Sequence, residues 1–303
     1  MDQMSTLVVG TDLSEHSLSA VSCALSLIES SKGKVTVVHA IPKPWLSELQ
    51  RLISPSSKSF TSEAIEKQTR ELNSQISTLI RGRDINVITR LRLGDPASEI
   101  AQQAAEDRAD LVIMGSQGKG KIGHLLLGST AVGVVHKSTC PVLVIKNPKA
   151  MLYQRVLLAL DLSDVSLEVI KTAKAMLPDA HFVLAHALQS PFENLSDLGL
   201  IDPGNLEQCR RSAVQDALAR LETLAVQSGL AQGSYDTKLL VEGTASALVD
   251  YAHEASVDLI ASAKHDKSAI RDRLLGSFTH AILSEFRGDI LVVPPVRSHD
   301  SQN

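Results

Sequence analysis

The 303 residues suffice for one large domain or two of ordinary size, and a composition of 44% apolar but only 3% aromatic residues calls for cores of Leu, Ile, Val and Ala, as in helix-covered parallel sheets. A formal charge of −4 provides no basic footprint, and the scarcity of rings provides no stacking platform, so no nucleic-acid partner is expected. No apolar run approaches the ~18 residues of a membrane span, no signal-peptide pattern opens the chain, and the three cysteines form no C-x-x-C pair, which together predict a soluble, cytoplasmic protein with no membrane partner.

Leu7 to Gly10 reads as a first strand ending at Thr11 and Asp12, and Ser14 can cap a helix with Leu18, Val21, Leu25 and Ile28 on one face, stopped by Gly33. Lys34 to Ala40 is a β-branched strand, and 42–59, with three prolines and several serines, reads as an irregular loop. A polar helix follows over Ser62 to Ile80, then a strand over Ile85 to Leu91, a turn at Gly94-Asp95-Pro96 and a helix over Ala97 to Glu106. The run Leu111 to Met114 is a short buried strand, Thr130 opens another helix, and Val142 to Ile145 is a last strand.

Between that fourth strand and the next helix lies Met114 to Thr130, a glycine-rich stretch suited to cradling phosphate, because glycines let the backbone approach an anion and the amides at a helix N-terminus point at it. Gly118 to Gly123 matches G-x-G-x-x-G, but the acid that pattern requires about 20 positions on is missing from Thr139 to Ile145. Gly115 to Ile122 nearly spells the P-loop, yet Ile122 stands where a hydroxyl should hold magnesium. What fits throughout is Gly115-x-x-Gly118, nine residues, then Gly128-Ser129.

The second half repeats the first. Asp12-Leu13-Ser14 recurs as Asp161-Leu162-Ser163, His39-Ala40 as His186-Ala187, Ala97-Ser98 as Ala245-Ser246 and Gly128-Ser129 as Gly276-Ser277, at offsets between 147 and 149. The expected fold class is therefore α/β, two tandem doubly wound domains, each a five-stranded, mostly parallel sheet with helices on both faces. The boundaries predicted are 1–148 and 152–296, with 297–303 as a tail.

The glycine spacing and the tandem repeat resemble the universal stress protein family, whose fold is related to that of the adenine nucleotide alpha hydrolases. The resemblance implies a nucleotide-binding set of Thr11, Asp12, Ala40, Ile41, Met114, Gly115, Gly118, Gly128, Ser129 and Thr130. In such a site Asp12 lies near adenine and ribose, and Ala40 or Ile41 meets the adenine through backbone groups. Met114 and Gly115 flank the ribose and α-phosphate, while Gly118, Gly128, Ser129 and Thr130 hold phosphates. The implied cofactors are ATP and Mg2+, the metal bound through the nucleotide phosphates, with no metal ligands from the chain and no catalytic residue assigned. Family members pair through their last strands, implying an internal pseudo-dimer of Val142 to Ile145 with Ile290 to Val293, besides a possible homodimer and an unidentified regulatory protein partner.

The second copy departs at the loop, where Ala263 corresponds to Gly115 and Asp266 to Gly118; a carboxylate among phosphates adds like charge. That copy is expected to bind ATP weakly or not at all, or to hold another ligand. His39 and His186 are read as backbone-bonding rather than catalytic, and Lys119, Lys121 and His124 as solvated loop residues near the phosphates. Two classes follow: a nucleotide-dependent stress-response regulator with at most slow ATP hydrolysis, or an ATP-hydrolysing enzyme, with a carrier of a non-nucleotide ligand through the second copy as a further alternative. An adenylating enzyme would want a glycine-rich anion loop after the first strand, where Gly10 stands alone.

Overall fold

The computed structural model describes residues 4–29, 31–42, 58–118, 127–147, 153–188, 203–241, 243–264 and 276–295. The chain divides into two compact units, Met1–Met151 and Leu152–Asn303. The first contains β1 (Thr6–Gly10), α1 (Glu15–Ile28), β2 (Lys34–Ile41), α2 (Lys58–Ile80), β3 (Asn86–Leu93), α3 (Pro96–Asp107), β4 (Leu111–Gly115), α4 (Ser129–Lys137) and β5 (Val142–Ile145). The second contains β6 (Arg155–Ala159), α5 (Asp164–Met176), β7 (His181–Leu188), α6 (Pro203–Gln227), β8 (Tyr235–Val241), α7 (Ala245–Glu254), β9 (Leu259–Ala263), α8 (Ser277–Glu285) and β10 (Asp289–Val293).

Strands of the first unit lie in the order β3-β2-β1-β4-β5 and those of the second in the order β8-β7-β6-β9-β10. All these pairings are parallel. Each unit is thus a doubly wound α/β domain, in which right-handed crossovers that reverse direction at the first strand place helices on both faces. Covered on both sides, the central strands need unbroken apolar runs: Leu7, Val8 and Val9 of β1 and Leu111, Val112 and Ile113 of β4 are fully buried. Edge strand β3 keeps no buried residue, and its sequence accordingly mixes Thr89, Arg90 and Arg92 with aliphatics.

Local chemistry sets the helix starts. Ser14 accepts from the Ser17 amide at 3.4 Å, Asp95 from the Ser98 amide at 3.0 Å with Pro96 at the first helical position, and Thr244 from the Ala247 amide at 3.2 Å. Each such cap is worth ~1 kcal/mol.

The elements depart from the sequence reading in a few places. β3 runs on to Leu93 because the parallel ladder with β2 continues through Ala40↔Arg92 and Ile41↔Leu93. α2 starts at Lys58, since no glycine or proline follows Pro55 to delay it. The reversal after α1 occurs at Lys32, whose φ is 52°, and Gly33 is required instead because a Cβ there would collide with the carbonyl oxygen of Ser5. The buried stripe of α1 includes Ser17, Ala20 and Ala24 in place of Leu18, which is half-buried. Most of the expected 42–59 loop, the inter-domain segment 148–152 and the tail 297–303 lie outside the described residues. Among the described residues no helix is long and apolar enough to cross a membrane.

Candidate functional site

Strand order in the first unit reverses at β1, and beyond the carboxyl ends of β1 and β4 the chain encloses a cavity of about 230 Å³. Its floor is built from the turn that follows β1. The Thr11 amide donates to the Val38 carbonyl at 2.9 Å, carrying the β1–β2 ladder one residue past the strand. Leu13 then turns left-handed, with φ 62°, and its amide donates to the Thr11 hydroxyl at 3.0 Å. The buried hydroxyls of Thr11 and Ser17 bond each other at 2.9 Å, and the Ser17 hydroxyl accepts from the Asp12 amide at 3.3 Å. The Ser14 amide donates to Asp12 Oδ1 at 3.0 Å, which fixes the carboxylate over the cavity. Behind it, His39 Nδ1 donates to the Thr11 carbonyl at 2.7 Å; since a carbonyl only accepts, the proton sits on Nδ1 and the ring braces the backbone.

The opposite wall comes from the end of β4. A Cβ on Gly115 would lie 2.9 Å from the His16 carbonyl oxygen and 3.1 Å from Ser17 Cα, so only glycine lets β4 pass beneath the first turn of α1. A Cβ on Gly118 would lie 2.5 Å from Asp12 Oδ2. The Ser116 amide donates to the Ile145 carbonyl at 2.8 Å, and the Gly128 amide to the Ser116 carbonyl at 2.7 Å, so the chain returns at Gly128 to the point it left. There α4 begins, with Gly128 as an N-cap that supplies no side-chain acceptor. The first-turn amides of Ser129, Thr130 and Ala131 therefore have no intrahelical acceptor and stand at the positive end of the helix dipole, facing the cavity.

Thr11, Asp12, Ala40, Met114, Gly115, Gly118, Gly128, Ser129 and Thr130 all line this one cavity. Ile41 does not; it is buried in the sheet, and its carbonyl accepts from the Gly94 amide at 3.0 Å. Sequence reasoning missed Gly10, Ser17, Pro96, Ile100, Gln117 and Ala131, which complete the lining. Ser17 is legible in retrospect as the residue three past the Ser14 cap, but nothing local in the sequence brings the start of α3 to this wall. Lys119, Lys121 and His124 lie outside the described residues. Among the described residues no three His, Cys, Asp or Glu side chains converge as a metal site.

The family model described as Universal stress protein family matches the chain twice, over residues 4–146 and 152–294. The chain belongs to the universal stress protein family. A universal stress protein of Methanocaldococcus jannaschii is 30% identical over 143 residues, which cover 47% of this chain and 82% of that relative. One of Mycobacterium bovis is 27% identical over 219 residues, covering 69% of this chain and 70% of its own length. The crystal structure of a universal stress protein from Archaeoglobus fulgidus shares the fold along 97% of this chain and 99% of its own, at a TM-score of 0.67 and 22% identity.

The second universal stress protein domain repeats the framework with different walls. His186 Nδ1 donates to the Leu160 carbonyl at 2.7 Å, as His39 does to Thr11, and the Lys264 amide donates to the Val293 carbonyl at 2.7 Å, as Ser116 does to Ile145. Leu160 stands where the first domain has Thr11, so Ser166, the counterpart of Ser17, has no threonine hydroxyl to meet. It donates instead to Asp161 Oδ1 at 2.9 Å, alongside the Ser163 amide at 3.0 Å and the Ser163 hydroxyl at 2.6 Å. Ala263 replaces Gly115 at the end of β9, and Asp266 lies outside the described residues.

Proposed function

We propose that this universal stress protein binds ATP in the cavity of its first domain and acts as a nucleotide-dependent stress-response regulator, with ATP hydrolysis at most slow. The observation that carries this reading is the convergence of one carboxylate, Asp12, with an uncapped helix start at Gly128, Ser129 and Thr130 and with the glycine wall of Gly115 and Gly118. Amides and hydroxyls at the α4 end suit phosphate oxygens, while the carboxylate and the backbone at Ala40 suit a sugar and a base edge. The glycines fit such a ligand as well: a Cβ at Gly118 would reach into the space beside Asp12. Mg2+ would be held through the phosphates.

Isothermal titration of the full chain with Mg–ATP tests the proposal, with one ATP per chain expected. Gly118→Asp places a second carboxylate against Asp12 and is expected to abolish binding. Wild-type protein that binds no adenine nucleotide, or a variant that binds as well as wild type, overturns it. Multiple-turnover phosphate release separates regulator from enzyme: turnover on the order of 1 per second, inside the usual enzyme range, contradicts the regulatory reading.

A further inference from the structure

Beyond β6 in the second domain lies a cavity of about 380 Å³, within the ~300–1,000 Å³ span of small-molecule sites. Its walls differ in kind from those of the first domain. Where Thr11 and Thr130 line the first cavity, Leu160 and Phe278 line the second, and Leu248 and Leu188 extend the apolar surface. Two polar groups remain on the wall besides Ser277, and both lean toward accepting. Asp161 is a carboxylate, and His186, with its Nδ1 proton committed to Leu160, presents Nε2 as an acceptor in the neutral ring.

We infer that the second domain binds an uncharged, mainly apolar small molecule bearing a hydrogen-bond donor in preference to an anionic one. Leu160, Leu248 and Phe278 would cover the body of such a molecule, and its hydroxyl or N–H would meet Asp161 and His186. Phe278 in place of Thr130 removes a hydroxyl donor that a phosphate would use at the helix start and puts a ring there instead. The assignment rests on the second cavity alone and stands whether or not the first domain binds ATP.

N-phenyl-1-naphthylamine is a suitable probe: neutral, apolar, with one N–H donor and a fluorescence that rises out of water. Its 8-sulfonate, 1-anilino-8-naphthalenesulfonate, differs by the negative charge. Fluorescence titration of the full chain is expected to give saturable binding of the neutral probe, with one site per chain and at least tenfold weaker binding of the sulfonate. Phe278→Asp, at a helix position where an acid is favourable, is expected to weaken the neutral probe at least tenfold while the far-ultraviolet circular dichroism stays unchanged. Phe278→Thr, which installs the first domain's residue, keeps the test open if the acidic variant does not fold, and a weakening of threefold or more is expected. No saturable binding of the neutral probe, equal binding of the sulfonate, or full binding by a folded Phe278 variant overturns the inference.

Discussion

Asp12 and Gly118, on opposite walls of the first cavity, stand so close that a methyl group on residue 118 would come within 2.5 Å of Asp12 Oδ2. The clash falls on the end of a side chain and not on backbone, so Gly118→Ala should swing the carboxylate aside while leaving the fold intact. The expected outcome is an unchanged melting temperature with at least tenfold weaker ATP binding, about 1.4 kcal/mol. Parallel thermal melts and ATP titrations check it.

Gly115→Ala should do the reverse. Here the added Cβ meets the carbonyl group of His16, 2.9 Å from its oxygen, and relief requires moving the first turn of α1 off β4. A loss of about 1–3 kcal/mol is expected in urea unfolding, the usual cost of overpacking. No positive φ is involved, so the loss measures the close approach alone.

In the second domain the Tyr153 hydroxyl donates to Asp289 Oδ2 at 2.7 Å, with Asp289 fully buried at the start of β10. Tyr153→Phe removes one donor from a buried carboxylate and should cost about 1–3 kcal/mol by urea unfolding. Asp289→Asn in the Tyr153→Phe background should recover part of it, because an amide is less costly to bury than a charge.

Stability should fall in acid partly through Asp95. The Lys137 ammonium at 2.7 Å, followed by the hydroxyl and amide of Ser98, holds its carboxyl at about 2. The folded value lies below the ~3.9 of an unfolded chain, so the contribution is present above that value and lost as pH falls toward 2. With the Asp95 side chain 59% exposed, solvent screening limits it to under ~1 kcal/mol. Urea midpoints measured from pH 5 to pH 2 should fall more steeply for wild type than for Lys137→Met, and the two should converge at the acid end.

The alternation of short aliphatic runs with helical periodicity, repeated at a near-constant offset, already determined two doubly wound domains, because a strand buried on both faces must be apolar throughout and a side-chain acceptor such as Ser14 or Asp95 marks where a helix starts. The glycine spacing likewise singled out the stretch after β4. Only the tertiary structure decided which side chains meet. Parallel register carries Thr11 one residue beyond β1 to Val38, and the crossing of β4 under α1 brings Ser17 to the cavity wall. It also buries Ile41 away from the cavity, and sets Leu160 and Phe278 where the first domain has threonines. Such contacts join residues far apart in the chain, and their geometry follows from strand pairing and close packing, which local pattern does not encode.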